Sequence, residues 1–553
     1  MDKSRVYGAL AGIAAAAAAV GIAELVAVGT GARSAPLIAV GGVVVDSVPE
    51  SLKSFAISLF GTHDKTALLI GTGVLLAAFA ALIGVVAVRN LAYGFAGIGV
   101  FAAVGVAAAL TRPHAGLAAT LPSLIGAIAA AAVLWFFVED PLTLFAGSPD
   151  GAPARERVSP GPASDWARDV RAGIPLHDHG VPKVARNDRG RHDRGGGWPA
   201  DRRRFLTGIA VVVGAAAVSG LAGRWFSGRR SVAGARSEVA LPTPAAPAPT
   251  VPPGADLNLA QLTPYVTSNA TFYRIDTALV VPQVDPATWQ LRIHGRVRNP
   301  ITLTFADLLK RPMVERYVTL ACVSNEVGGD LIGNALWLGT PVKDLLDEAG
   351  PLDGADQVVG RSVDGFTCGT PTAVLTDGRD ALLAVGMNGE PLPIEHGFPA
   401  RVVVPGLYGY VSACKWVSEL ELTSFADFDA YWVPRGWSAQ APIKTESRID
   451  TPRGRNNLTA GPVMVAGVAW AQHRGIRKVE VQVDDGPWNA ATLAQAVSID
   501  TWVQWSWRWD APRGDHRLRV RATDATGETQ PSQPSPPEPN GAQGWHTVSV
   551  TVA

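Results

Sequence analysis

Cys322 is the residue whose surroundings most invite chemistry. It closes Tyr317-Val-Thr-Leu-Ala-Cys322, an apolar run that reads as a β-strand, and Val323-Ser-Asn325 and then Val327-Gly-Gly329 follow it. A thiolate at a strand end beside glycine-rich backbone can ligate a soft metal or attack a substrate. The plainer reading is a buried cysteine acting as a small hydrophobe, the commoner fate of an isolated Cys. Cys368 and Cys414 bring the total to three, too few and odd in number for a disulfide framework. No CxxC or CxxCH occurs, which leaves a zinc ribbon or a covalently attached c-type haem unsupported.

The elements that must position Cys322 lie in the second half of the chain. Leu279-Val-Val-Pro282 and Gln290–Gly295 read as strands, and Val314–Leu320 as the strand that runs into the cysteine. Thr304–Lys310 reads as a capped helix and Val342–Ala349 as an amphipathic one. Ala400–Val404 is a short apolar strand ended by Pro405-Gly406. Together these predict an α+β domain over 258–425. From 426 to 553 the pattern changes to short alternating strands: Val463–Trp470, Ile476–Val483, Trp502–Trp509, His516–Ala522 and Trp545–Val552. Turn signals such as Asp484-Asp-Gly486 separate them, as in an immunoglobulin-like β-sandwich.

The first half obeys different physics. The chain has 553 residues, 47% of them hydrophobic, and a formal net charge of zero, which gives no field directed at nucleic acid. The hydrophobic excess is concentrated before residue 139. Four runs there, Val6–Val28, Ala67–Val88, Leu91–Leu110 and Gly116–Val138, are long enough to cross a bilayer. Pro36–Phe60 is weaker, because Asp46 and Glu50 flank a proline where a span should be driest, so a re-entrant or surface segment fits better. A fifth span, Phe205–Phe226, follows Asp201-Arg-Arg-Arg-Phe-Leu206, which resembles a twin-arginine export signal; a plain positive-inside stop is the alternative. Lys3 and Arg5 place the N-terminus in the cytoplasm, so five spans carry the second half to the extracytoplasmic side. Residues 139–204 lack the apolar side chains needed to offset ordering entropy and are expected to be disordered. The Pro/Ala-rich stretch 227–257 is expected to be a semi-rigid spacer. His63 and His114, the histidines before residue 140, fall in expected loops, so no transmembrane b-type haem is implied. Glu24 in the first span is the main intramembrane charge, and the bland reading of the membrane part, an anchor, is favoured.

Four blocks in the second half resemble the sulfite oxidase superfamily of molybdopterin-dependent oxidoreductases, in its membrane-anchored bacterial form. They are Ser268-Asn-Ala-Thr-Phe-Tyr-Arg-Ile-Asp276, Cys322-Val-Ser-Asn325, Ala335–Gly350 with its Trp-x-Gly pattern, and Met387–Gly406 followed by Lys415-Trp416. The resemblance implies a multi-domain chain: N-terminal transmembrane helices, an α+β molybdopterin domain, then an immunoglobulin-like dimerisation domain. It makes Cys322 the thiolate ligand to molybdenum, with Arg274 and Cys368 beside the reacting centre. Asn269, Phe272, Tyr273, Arg274, Asn325, His396, Arg401, Ser412 and Lys415 are the implied cofactor-binding residues. Among them, Arg401 and Lys415 suit phosphate, and Asn269 and His396 suit donation to ring heteroatoms.

The implied activity is oxygen-atom transfer on a small substrate, with electrons exchanged with a separate cytochrome or quinone-linked protein. A homodimer through the C-terminal domain is also implied. One departure bears on substrate. Glu326 and Val327 stand where sulfite oxidases carry arginines, and a carboxylate repels an oxyanion, which disfavours sulfite. Cys368 stands where the family has a tyrosine; it either points at the metal or fills core. Cys414 is expected to be packed core. The competing class of function is a cofactor-free extracytoplasmic binding module on a membrane anchor.

Overall fold

The structure, a computed structural model, describes residues 3–48, 64–112, 115–139, 198–229, 232–454 and 457–553. It divides into two compact units. The first holds residues up to 25, 73–103 and 123–221, and its described residues are mainly apolar helix. Among the described residues, five helices are long and apolar enough to cross a membrane: Arg5–Thr30, Ala67–Ala87, Leu91–Leu110, Leu117–Val138 and Phe205–Gly223. They coincide with the five runs expected from sequence. Small residues let two of them touch backbone to backbone. A Cβ on Gly84 would collide with the Gly8 carbonyl, and one on Gly12 with that of Ala80.

Two expectations about this half change. Helix Trp198–Arg229 begins seven residues inside the stretch expected to be disordered, with Pro199 near its start, where a missing N–H costs nothing. The rest of that stretch, 140–197, lies outside the described residues, as do His63 and His114. Of Pro36–Phe60, only Pro36–Ser47 is a described helix. Its twelve residues rise about 18 Å, short of the roughly 30 Å bilayer core; 49–63 lies outside the described residues.

The second unit contains the rest, including 222–553. Its strands in chain order are β1 (Gln290–Gly295), β2 (Ile301–Thr304), β3 (Val314–Ala321), β4 (Ile332–Pro341), β5 (Gln357–Ser362), β6 (Thr367–Pro371), β7 (Leu382–Met387), β8 (Glu390–Pro391), β9 (Arg401–Val403) and β10 (Val417–Thr423). They form two mixed α/β layers. One sheet has the order β2-β1-β10-β5-β6; the other runs β3-β4-β7-β8, with β9 beside β7. Helix Phe305–Leu309 starts with a capping box, Thr304 and Asp307 satisfying each other's backbone N–H. Helix Val342–Ala349 buries Val342, Leu345, Leu346 and Ala349 and ends at Gly350, whose φ of 65° suits a residue without Cβ. Leu291, Ile293, Leu308, Leu345 and Val358 join one core.

Three boundaries differ from the sequence reading. Leu279–Pro282 is not a strand, because Pro282 and the turns around it leave no ladder to join. The Pro/Ala stretch is no free spacer. Ala245 donates to the Met313 carbonyl at 2.7 Å and Ala246 accepts from Glu315 at 2.9 Å, so it lies along the β3 edge with Val239, Leu241 and Val251 against the core. The last domain begins near Glu446 rather than 426, because Trp432, Trp437, Ala441 and Ile443 pack into the first core.

From there the strands are β11 (Glu446–Thr451), β12 (Asn457–Leu458), β13 (Gly461–Trp470), β14 (Ile476–Val483), β15 (Trp488–Ala490), β16 (Thr492–Leu493), β17 (Val503–Ala511), β18 (Gly514–Asp524) and β19 (His546–Val552). They form two sheets, β11-β13-β17-β16 and β12-β19-β18-β14-β15. Alternate residues such as Val465, Trp505, Val479, Leu518 and Val550 share one apolar cluster. The Tyr265 segment ties this part to β4. The Tyr265 carbonyl accepts from Asn334 and from the Trp502 indole, each at 2.9 Å.

Candidate functional site

β3 delivers Cys322 to the loop that joins it to β4. The loop is held at both ends: Cys322 N–H donates to Leu331 at 2.9 Å, and Leu331 N–H donates to the Asn325 side-chain oxygen at 2.8 Å. The Cys322 sulfur lies in a small nest. Burial pushes its thiol up, while the backbone N–H of Ser324, the Ser324 hydroxyl and the Val323 N–H oppose that by donating toward sulfur. Three donors aimed at one sulfur stabilise a thiolate once a metal replaces the proton.

The C-terminal domain clamps the same loop from outside. Arg448 donates to the Gly329 carbonyl at 2.7 Å and is ion-paired with Asp450 at 2.6 Å. Gly328, at φ 81°, lies so close to the His546 ring that a Cβ would collide with it. His546 Nδ1 in turn accepts the Ile449 N–H at 3.0 Å.

A second wall comes from the Ser268–Asp276 segment and the Ile394–Trp416 region. Phe272 packs edge-on against Trp337 at 5.8 Å and His396 at 5.6 Å, and stacks with Tyr273 at 5.2 Å. Burial raises the Tyr273 hydroxyl far above its ordinary value; the charge of Cys322 adds to that and Arg401 opposes it. Gly397 brings the two cations together: a Cβ there would lie 3.1 Å from the Cβ of Arg401 and of Lys415. Arg401 is 5% exposed and lies over the Trp337 ring at 5.0 Å. Its polar contacts are backbone carbonyls, chiefly that of His396 at 3.1 Å, and no carboxylate pairs with it among the described residues. Burial pushes its guanidinium down to about 10. Lys415 is ion-paired with Asp276 at 2.9 Å, and Asp276 also holds Arg274 at 2.9 Å. Burial moves Lys415 down to about 8 against the opposing pull of Asp276.

Some expected cofactor contacts have other duties. Asn269 donates to the Met387 carbonyl and to Glu390 and accepts from Asn388 at 2.8 Å, so its amide positions the loop instead of facing a ring. His396 Nε2 contacts the Asn269 carbonyl at 3.2 Å. A carbonyl only accepts, so Nε2 carries the proton. Burial and Arg401 hold the imidazole down at about 4, which keeps it neutral. The free nitrogen, Nδ1, is therefore an acceptor and not the donor expected from sequence. Ser412 is fully buried and donates to the carbonyls of Leu407 and Tyr408. Cys368 is 1% exposed and lies in the main core with Cys414, both sulfurs flanking Gly360; of the two readings left open, core packing is the one the structure shows. Cys414 is packed core as expected. Glu326 is exposed on the Cys322 loop, and Arg274 keeps 40% of its side chain exposed.

Sequence reasoning missed Tyr408, which is 3% exposed and senses the charge of Cys322. Its signal was the Tyr408-Gly-Tyr410 run just after Pro405-Gly406. Asp276, Arg448 and His546 were also missed, and no local motif marks their roles. A separate cavity of about 390 Å³ beside Arg316, Tyr317 and Asp380 contains none of these groups.

A model of the oxidoreductase molybdopterin-binding domain matches residues 278–432. YuiH, an uncharacterised oxidoreductase of Bacillus subtilis, is 34% identical over 155 residues, covering 28% of this chain and 74% of that protein. The chain belongs to the sulfite oxidase superfamily of molybdopterin oxidoreductases. Mitochondrial sulfite oxidase of mouse is 31% identical over 287 residues, 44% of this chain and 52% of that one. The chain thus spans about half the length of the sulfite oxidases it matches. A crystal structure of the sulfane dehydrogenase SoxCD from Paracoccus pantotrophus aligns over 52% of this chain and 82% of that chain, at 24% identity and a TM-score of 0.46.

The residues present fit a molybdopterin. Arg401 is a buried cation that lacks a carboxylate, and the buried Asn325 Nδ2 has no partner among the described residues. Buried donors without acceptors are costly unless a ligand supplies them. Cys322 fits the role of a soft-metal thiolate with Ser324 behind it. The mixed α/β domain supplies all three groups, Cys322 and Asn325 from the loop after β3 and Arg401 from β9.

Proposed function

We propose that this chain is a membrane-anchored enzyme whose catalytic domain lies outside the cytoplasm and transfers an oxygen atom to or from a small substrate. The observation that carries the reading is Arg401, a buried cation whose polar contacts are backbone carbonyls, with no carboxylate to balance it among the described residues. An anionic pterin supplies the balance. Cys322 holds the metal, and Arg401, Lys415 and the Asn325 amide hold the rest of the cofactor. When bound, the cofactor supplies two-electron oxygen-transfer chemistry. The protein's part is positioning: Phe272 and Trp337 shape the wall, neutral His396 offers an acceptor at Nδ1, and Tyr273 and Tyr408 keep their hydroxyl protons at the metal side.

Substrate approaches past Arg274, the cation of the site that remains 40% exposed. Glu326 on the facing loop disfavours sulfite, a dianion at alkaline pH, relative to a neutral sulfur compound. Five apolar helices, Lys3 and Arg5 at the start, and Arg202–Arg204 before the last span support the extracytoplasmic orientation and twin-arginine export. The domain order is anchor, catalytic domain and then an immunoglobulin-like sandwich that forms a homodimer; electrons pass to a separate redox partner. Purified protein assayed with sulfite and with dimethyl sulfoxide, using an artificial electron carrier, tests the activity. Turnover of the neutral compound above that of sulfite is expected; no turnover of any sulfur compound by molybdenum-loaded protein contradicts it. Protease added to intact cells should remove the C-terminal half, and protection of that half would contradict the orientation.

A further inference from the structure

A cavity of about 330 Å³ opens where the segments following two of the apolar helices meet the catalytic domain. We propose that it is a quinone site, so that the redox partner of the catalytic domain is a membrane quinone that this chain binds directly. The inference rests on the enzyme reading above, and names the redox partner of that same site, quinone for substrate oxidation and quinol for substrate reduction.

The cavity's floor and walls have the three features a quinone requires. The first is an apolar slot for a flat ring and its prenyl tail. Leu279, Val280 and Phe366 line one side, and Ile38 and Val45 of the apolar helix Pro36–Ser47 line the other. That helix is packed tightly: a Cβ on Gly41 would come within 3.1 Å of Leu279, and one on Gly42 within 2.6 Å of the Arg112 guanidinium. Arg112 follows directly on helix Leu91–Leu110, so the slot lies at the end of a span.

The second feature is a donor waiting for a neutral acceptor. Arg112 Nη1 is ion-paired with Asp46 at 3.0 Å, while its buried Nε has no partner among the described residues. Tyr431 donates its hydroxyl to Asp46 at 3.0 Å and can redirect it. A quinone carbonyl matches one N–H or O–H at each end of the ring. The third feature is a route to solvent: the Asp46 carboxylate keeps 38% of its side chain exposed and touches both Arg112 and Tyr431, so it can relay protons from water.

Charge argues against an anionic headgroup. Arg33 donates to the Val363 carbonyl, Arg435 to the carbonyls of Tyr431 and Asp46, and Arg112 is paired, so the cations are already engaged. Asp46 and Asp364 would face an incoming phosphate.

The cavity is also next to the cofactor cradle. Asp276 holds Lys415 and Arg274, and Thr277, the next residue, lines the cavity. Consecutive Cα atoms are about 3.8 Å apart. On the other wall, Val363 N–H donates to Trp416, the neighbour of Lys415, at 3.1 Å. The two sites thus share the 276–277 and 415–416 segments, and in this proposal electrons pass directly between them. In the direction of substrate oxidation, substrate plus water gives the oxygenated product with two protons and two electrons. Quinone takes up two protons and two electrons to give quinol, so the sum balances.

Full-length protein in detergent is titrated with decylubiquinone, and binding is read from quenching of the aromatic fluorescence; Tyr431 stands 5.2 Å from Trp432. Molybdenum content is measured on each sample. Saturable quenching is expected, weakened about tenfold in Arg112→Gln and several-fold in Tyr431→Phe, a change too mild to unfold the chain. Cys322→Ser is expected to bind decylubiquinone like the parent while lacking molybdenum. Non-saturable quenching in molybdenum-loaded protein overturns the quinone site and leaves the enzyme reading intact. Displacement of decylubiquinone by phosphatidylglycerol at equal concentration overturns it in favour of a lipid site. Absence of molybdenum from the parent protein overturns the enzyme reading, and the electron route with it, whatever the binding.

Discussion

The three cysteines share one domain but have two environments. Cys322 ends β3 in a tight loop, part-exposed, with two backbone N–H groups and a hydroxyl directed at its sulfur. Cys368 and Cys414 are almost fully buried in the main core, and the Cys414 thiol donates to the Lys415 carbonyl at 3.8 Å. The difference is the one a ligand role for Cys322 requires: donors arranged for a thiolate, and a side left open. Burial alone raises a thiol's pKa and keeps it inert.

Four changes break or sharpen that comparison. The largest effect is expected at the cation that faces the cofactor. Arg401→Met keeps volume but removes the charge, and should lower cofactor retention by roughly 10- to 100-fold, read as molybdenum per protein after gel filtration. Cys368→Ala should leave molybdenum unchanged and cost about 1–3 kcal/mol of stability through the lost thiol contact and small cavity, read by thermal melting; loss of metal would show that the core pair belongs to the site after all.

His546, which braces Gly328 on the Cys322 loop, is expected to make the protein acid-sensitive. Its folded value of about 4 lies below its ordinary 6.5, because burial and Arg448 disfavour the charged ring. Its contribution is thus present in full above pH 6.5 and lost as pH falls toward 4. The gap corresponds to roughly 3 kcal/mol. His546→Gln should flatten the melting temperature over that window.

A second titrating group has the opposite slope. Burial raises the Glu446 carboxyl to about 8, against the weaker pull of Lys444. A carboxyl favoured in its protonated form makes the fold lose stability as pH rises from 4.5 to 8. Glu446→Gln should therefore melt higher than the parent at pH 8 and alike at pH 4.5, and an unchanged melting temperature at pH 8 would contradict the assignment.

Local features were legible in the sequence. Thr304 and Asp307 announce their capping box, the apolar spacing of Val342–Ala349 gives both its ends, and five apolar runs give five long helices. Cys322 and Arg401 were legible through the order of their blocks. What escaped was set by partners far along the chain. Asn269 and His396 look like free donors until Met387, Asn388 and the Asn269 carbonyl engage them. Arg448 reaches Gly329 across 119 positions, and nothing near either residue signals it. The spacer was misread for the same reason: its proline content suits an extended chain, but only β3 makes it an edge partner.

The central claim is that Cys322, in its nest of donors, is the protein ligand that holds molybdenum. Metal analysis of the purified full-length chain beside Cys322→Ser, with matched folding by circular dichroism, tests it most directly. The account predicts about one molybdenum per chain in the parent and almost none in the variant. Equal molybdenum in both proteins would contradict it.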